Sequence, residues 1–563
     1  VHLKNPSLFL VFVEQGSGHQ ENLVAVFHLQ GHGKCLVSES LHSYLRSIAA
    51  EFPTGINEGG SMIKTCLDYH QATSYDRSAM SGHSLDWANQ PKVFKEYTGI
   101  SSLPLPKEVQ IPKGKLSAIL GSAGAATLPE SLDLEMLSLI LLLSYTHTAR
   151  ARYPEGDFFF RSAASAGALY PTEVYVACHG IKGIDSGLYH FDIRNHSIHP
   201  LRMGEISGLV TGPGSRLTLF LSAIFFRSAW KYRARAYRYH LLDTGHVVEN
   251  LSLALKALNL PFSLTYDFDD AAVNRFLGLN EEKEVALAIV DVPGGRGTSL
   301  ESEEPASPLS ASILQSSRVS AKETDYFAIR EIHEAGSRHM EGPRQPALSP
   351  KSGERGLLKE GMIHALGITP KAWTPIRTPM IWPEVTDYPD AVFHRRSRRN
   401  FVKKALSKES MDALLHTMCR SEGSSHEESL AVGFLVGQAE GMEPGFYLCD
   451  REEKAWAIVS PGQFMARSTS ICLDQAWLVN AGVHFLFLAN LELLEKAWGP
   501  RGYRHTMLAA GRFGQRLYVA AEALGMGCCG IGALYDKEAM EMLGLNPISR
   551  LLYLVAVGNI KRA

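Results

Sequence analysis

Tyr237-Arg238-Tyr239, Leu242-Asp243-Thr244-Gly245-His246 and Leu277-Gly278-Leu279 decide the fold, because much of this passage is present twice. Tyr237-Arg238 recurs as Tyr503-Arg504, Gly245 as Gly511, and Leu277-Gly278-Leu279 as Leu543-Gly544-Leu545, each pair 266 positions apart. Ala257-Leu258 and Ala523-Leu524 keep the same register. Further upstream, Gly187-Leu188-Tyr189 matches Gly445-Phe446-Tyr447 at a slightly different offset, as a change of loop length produces. Self-similarity at a fixed spacing marks a duplicated structural unit. The chain holds two copies of one domain.

Each copy reads alike outward from that passage. An extended apolar run (217–221; 483–488) precedes a helix. Its apolar face carries Val248, Leu251, Leu255 and Leu258 in the first copy, and Leu517, Ala520, Ala521 and Leu524 in the second. A strand closes each copy (285–292; 551–557), and an earlier helix (132–143; 410–418) opens it. This mixture predicts an α+β class with helices on a mainly antiparallel sheet. The expected boundaries are an N-terminal segment 1–61, a first domain 62–293, a linker 294–370 and a second domain 371–563. Residues 294–317 and 336–356 have linker composition, with a helix expected at 324–334 between them.

Composition narrows the function classes. Lys and Arg total 56 against 58 Asp and Glu, a net charge of −2 over 563 residues, which excludes a polybasic nucleic-acid binder. Eight Cys without a CxxC pair give neither a disulfide framework nor a zinc ribbon. With no signal-peptide pattern, the expected location is the cytoplasm. No apolar run reaches the roughly 18 residues of a membrane span. The chain opens on Val1 and its first Met is Met62, just after Glu58-Gly59-Gly60, which a ribosome-binding-like purine stretch can encode. Translation is therefore expected to begin at Met62, with a genuine N-terminal extension as the alternative.

The second copy opens with His394-Arg395-Arg396-Ser397-Arg398-Arg399-Asn400-Phe401 and ends with Lys561-Arg562. Four guanidiniums in five positions repel one another unless an anion is near; their forks suit a phosphate, and Ser397 can complete the cradle. A solvated basic patch has the same composition. The first copy instead carries Arg161-Ser162-Ala163-Ala164-Ser165-Ala166-Gly167-Ala168-Leu169-Tyr170-Pro171, a small-residue loop whose backbone a planar ligand can approach. An ordinary Gly/Ser loop reads the same way. Cys528-Cys529 read as packed thiols, and His240 with His246 fall off a shared helix face, so no metal site is expected.

Taken together, these motifs resemble the SagB/ThcOx-type dehydrogenases of the nitroreductase superfamily. The resemblance rests on Ser165 to Pro171 followed by Glu173-Val174-Tyr175-Val176, on Trp230-Lys231-Tyr232, on Tyr237-Arg238-Tyr239, and on Leu242 to His246. The early stretches Tyr69-His70-Gln71-Ala72-Thr73 and Leu85-Asp86-Trp87-Ala88-Asn89-Gln90-Pro91 are similar to that family's N-terminal region. Arg395 to Phe401 resembles the superfamily's flavin-phosphate motif, and Gly527-Cys528-Cys529-Gly530-Ile531-Gly532 the segment bordering the isoalloxazine. The resemblance implies an FMN held between two nitroreductase-fold units. One unit supplies cradle and ring segment; the other supplies the small-residue loop.

On that pattern the two copies are complementary. The first copy has Gly121-Ser122-Ala123-Gly124-Ala125-Ala126-Thr127 where its cradle should be, and Leu264-Thr265-Tyr266 where its ring segment should be. The second has no Tyr-Pro across 421–431. The expectation is an intrachain pseudo-dimer with one FMN. Its ligands would be Ser165, Ala166, Gly167 and Ala168 from the first copy, and Arg395, Arg396, Ser397, Arg399, Gly530, Ile531, Gly532, Lys561 and Arg562 from the second. The resemblance also implies that Lys231-Tyr232 match a Lys-Tyr pair acting near the flavin in converting peptide azolines to azoles; the second copy has Ala497-Trp498 there. The expected substrate is a small molecule or modified peptide, with a cyclodehydratase as partner. An NAD(P)H-dependent reductase of nitro compounds, quinones or enones, and a non-catalytic partner module, are the alternatives.

Overall fold

The computed structural model describes residues 9–13, 24–28, 63–80, 84–121, 131–153, 156–204, 215–294, 307–339, 361–376, 381–420 and 425–561. Met62, residues 122–127, residues 421–424 and Arg562 lie outside them. Strands β1 (Phe9–Val13) and β2 (Val24–His28) pair antiparallel, and helix α1 (Cys66–Ala72) follows, started by a Thr65–Asp68 capping box. The first domain runs through β3 (Leu103–Pro104), α2 (Leu116–Gly121), α3 (Leu134–Ser144) and a hairpin of β4 (His147–Tyr153) and β5 (Gly156–Arg161). It continues with β6 (Thr172–Cys178), β7 (Gly187–Asp192), β8 (Ser197–Met203), β9 (Ser215–Ile224), α4 (Phe225–Tyr232) and α5 (Ala236–Ala257). It closes with β10 (Ser263–Thr265), α6 (Asp270–Leu277) and β11 (Glu284–Pro293).

Helix α7 (Phe327–Ala335) lies between the domains. The second domain then repeats the first: β12 (Thr374–Pro375), α8 (Tyr388–His394), α9 (Lys408–Cys419), β13 (Ala431–Val436), β14 (Gly445–Asp450), β15 (Ala455–Pro461), β16 (Val483–Asn490), α10 (Leu491–Trp498), α11 (Arg501–Ala523), β17 (Gly527–Ile531), α12 (Asp536–Leu543) and β18 (Ser549–Gly558). The two sheets have seven antiparallel strands each, in the orders β10-β11-β9-β6-β7-β8-β3 and β17-β18-β16-β13-β14-β15-β12. Position for position these are one topology. The expected α+β class and tandem duplication are what the chain adopts. Strands β13 and β16 are buried at every residue, which explains their nearly continuous apolar runs without alternation.

The repeated residues are those that join the domains. Helices α5 and α11 pack against each other at the centre and are buried along almost their whole length. A Cβ on Gly245 would lie 2.3 Å from the Leu508 carbonyl oxygen, and one on Gly511 would lie 2.2 Å from that of Leu242. The duplicated glycine is thus a reciprocal backbone crossing. Arg235 and Arg238 donate to Asp536 at 2.7 and 2.6 Å, and Arg501 and Arg504 each donate to Asp270 at 2.6 Å. Both aspartates stand in the first turn of the other domain's helix, where the dipole favours a carboxylate.

Helix α7 falls inside the stretch read as linker and takes a full part in this symmetry. Its His333 Nδ1 is 3.2 Å from Tyr237 Oη, as His70 Nδ1 of α1 is 3.0 Å from Tyr503 Oη. Ile329 and Ile332 are buried beside it. The helix that precedes each domain therefore reaches a tyrosine of the other one.

Candidate active site between the domains

A cavity of about 1100 Å³ lies where the two domains meet. The turn after α8 provides its basic wall. Arg395, 3% exposed, donates Nε to the Ser162 carbonyl at 2.6 Å and Nη2 to that of Arg161 at 2.8 Å, so it grips the loop of the other domain. Its remaining Nη1 is buried with no hydrogen-bond partner among the described residues. Arg396 donates Nη2 to Thr148 O at 2.9 Å; burial, then the Arg395 and Arg398 charges, lower its pKa. Ser397 Oγ is 2.8 Å from Tyr518 Oη, and the Gly530 amide of β17 donates to that same phenol at 2.7 Å. Tyr518 thereby locks cradle to ring segment.

The first domain supplies the facing wall. Ser165, Ala166, Gly167 and Ala168 line the cavity with Lys231 and Tyr232 at the end of α4. Gly167 has φ 63°, and a Cβ there would sit 2.8 Å from Tyr232 Oη. The loop therefore presses directly on the Lys-Tyr pair. Ala168 (φ 53°), Tyr170 (φ 47°) and Arg233 (φ 50°) are non-glycine residues in the left-handed region, and position 499, the counterpart of Arg233, is glycine. Such strain persists where surrounding contacts over-determine it, commonly at functional sites. Burial, followed by the nearby Arg399, lowers the Lys231 pKa; burial raises that of Tyr232 well above its usual value.

The cavity thus gathers Ser165 to Ala168, Lys231, Tyr232, Arg395, Arg396, Ser397, Arg399 and Gly530 to Gly532 into one space. Lys561 is not in its wall: its amide donates to the Asn400 carbonyl at 3.2 Å and the residue is exposed behind the cradle. Arg562 lies outside the described residues. Sequence reasoning missed Tyr239, Asp243 and His246, which line the cavity from α5 at i, i+4 and i+7. That polar stripe on an apolar helix was the available signal. His246 bridges the domains, with Gln515 at 2.8 Å on Nδ1 and Tyr553 Oη at 3.0 Å on Nε2. Strand β5 also lines the cavity, from Asp157 to Arg161, and nothing in its composition announced that.

The pseudo-symmetric position is packed with side chains. Tyr266 stands where the second domain has Gly532, and its ring centroid is 4.6 Å from that of His426. His426 lies 4.5 Å from His505, the counterpart of Tyr239, and Trp498, the counterpart of Tyr232, lies 5.3 Å from His505. Arg512, the counterpart of His246, and Arg516 hold Glu249 at 3.0 and 2.6 Å. Asp267, His426 and His505 bring their ligand atoms within 4.8 Å of one another. Arg338 and Arg501 already approach Asp267 at 3.1 and 3.3 Å, so the carboxylate is already paired with two guanidiniums that would repel an added cation. The group fills the position and does not read as a metal site.

A family model described as the nitroreductase family matches residues 211–294 and 392–559, one segment in each domain. The chain is 32% identical over 179 residues to the trifolitoxin-processing protein TfxB of Rhizobium leguminosarum; the match covers 29% of this chain and 48% of TfxB, about half of that relative's length. It is 28% identical over 175 residues, 29% of this chain and 87% of the relative, to a protein of Methanocaldococcus jannaschii provisionally named a nitroreductase. A crystal structure from Anabaena variabilis, also provisionally named a nitroreductase, matches 89% of this chain and all of its own with a TM-score of 0.68 at 24% identity. That likeness spans both domains and concerns the fold.

Proposed function

We propose that this chain, a tandem nitroreductase-fold protein with nitroreductase-family sequence in both halves, is an FMN-dependent oxidoreductase with one site, formed by loop and Lys-Tyr pair from the first domain and cradle and ring segment from the second. The observation that carries this reading is the meeting of these complementary half-sites in one cavity. The residues present fit the cofactor. A cluster of guanidiniums with one buried, unpartnered nitrogen suits a phosphate, and the volume exceeds what a mononucleotide alone fills. When bound, FMN would supply hydride acceptance or donation.

The protein's own residues orient and exchange protons. Arg395 and Arg396 tie the anion-binding wall to backbone carbonyls of the first domain, so charge and loop hold one geometry. Lys231, desolvated and close to Arg399, has part of its population as neutral amine at a lower pH than a free lysine and is the group to take a proton from substrate. Tyr232 stays protonated and can donate or orient. Among the described residues no helix is long and apolar enough to cross a membrane.

Two substrate classes follow from the two named relatives. The favoured class is a modified peptide carrying an azoline-like ring, oxidised by a dehydrogenase of SagB/ThcOx type working with a cyclodehydratase; TfxB, named for trifolitoxin processing, supports it. The name of the M. jannaschii relative supports an NAD(P)H-dependent reductase. Anaerobic mixing separates them. An azoline-bearing peptide is expected to bleach the bound flavin while NADH and NADPH leave it oxidised; bleaching by NAD(P)H alone would establish the reductase instead.

A further inference from the structure

We propose that Asp243 is the positioning residue that latches the Ser165–Tyr170 loop over the cofactor; this rests on the flavin reading above. Asp243 projects from α5 and is 5% exposed. Its Oδ2 accepts the Ser165 hydroxyl at 2.5 Å and its Oδ1 the Ala166 amide at 3.1 Å. Ser165 Oγ in turn accepts the Tyr170 amide at 2.9 Å. One carboxyl therefore ties both ends of the loop to the central helix.

Gly167, Ala168 and Tyr170, at φ 63°, 53° and 47°, lie within the tied segment. The left-handed region is strained for a non-glycine residue, so the latch holds the loop against local backbone preference. Release would move the wall that touches Tyr232 Oη through Gly167. The carboxyl has no ion-pair partner among the described residues, and burial pushes its pKa up to about 7 against the Ser165 and Ala166 hydrogen bonds. A buried carboxyl without a cation is costly unless it is hydrogen-bonded, and the Ser165 and Ala166 donors supply those bonds. The counterpart in the second domain is Ala509, so the latch exists only beside the retained site.

The test is FMN affinity, read by quenching of flavin fluorescence on the full chain. Asp243→Ala is expected to weaken FMN binding about 10–100-fold, through loss of the hydrogen bonds that hold the loop. Asp243→Asn, whose amide can still accept from Ala166 and donate to Ser165, is expected to stay within about threefold of the wild type. Wild-type affinity in Asp243→Ala, or equal losses in the Ala and Asn variants, would overturn the latch. If Asp243→Ala does not fold, Ser165→Ala cuts the same link from the loop side: weakened FMN binding supports the proposal and unchanged binding overturns it. A wild-type chain that takes up no FMN would bring down the flavin reading itself, a result separate from any difference among variants.

Discussion

Lys231→Ala is expected to keep FMN bound while slowing anaerobic reduction of the flavin by an azoline-bearing peptide about 10²–10⁴-fold, the usual contribution of a positioned general base. The residue lies in the cavity wall beside the small-residue loop, on the opposite domain from the Arg395–Arg396 cradle, so cofactor retention and turnover should separate. The pH profile carries the sign. Burial and Arg399 lower the Lys231 pKa, so the neutral amine becomes available as pH rises through a value below the usual lysine range. The wild-type rate should rise along that limb and Lys231→Ala should lose it. Wild-type reduction rates in Lys231→Ala would remove Lys231 from the chemistry.

Asp536→Asn is expected to destabilise the chain by about 3–5 kcal/mol, because it leaves Arg235 and Arg238 buried without their carboxylate. Asp270→Asn should do the same to Arg501 and Arg504. Burial pushes the Asp536 pKa up, yet Arg235, Arg238 and His70 outweigh it and hold the carboxyl well below its usual range. A depressed folded pKa gives stability that is present in full above the unfolded value, about 3.9, and is lost as pH falls through the folded one. The gap in urea midpoint between the wild type and Asp536→Asn should therefore be constant above about pH 4 and narrow as pH falls below it. Equal midpoints for the two proteins at pH 7 would show that these ion pairs do not hold the domains together.

The duplication was legible because the repeated residues do repeated work. Gly245 and Gly511 mark a backbone crossing, and Tyr237-Arg238 and Tyr503-Arg504 face aspartates that are themselves 266 positions apart. Helix α7 falls where the sequence places one, at 324–334, but its part in the symmetry was not legible, since its counterpart α1 lies at a different offset. Much of the candidate site could be named from motifs because each half is contiguous in sequence. Tyr239, Asp243 and His246 stood within quoted motifs, but a helix buried on nearly all its faces hides which polar residues turn to the cavity. Lys561 was placed by its sequence position after the last strand, whereas it is not among the residues lining the cavity.

The central claim is that duplication left one complete site and filled the other. Tyr266, His426, His505 and Arg512 occupy the second position, and each of their pairings would have to break to admit a flavin there. FMN released from the purified full chain, quantified by absorbance against protein concentration, tests this most directly. One FMN per chain is the predicted result; two per chain would contradict the account.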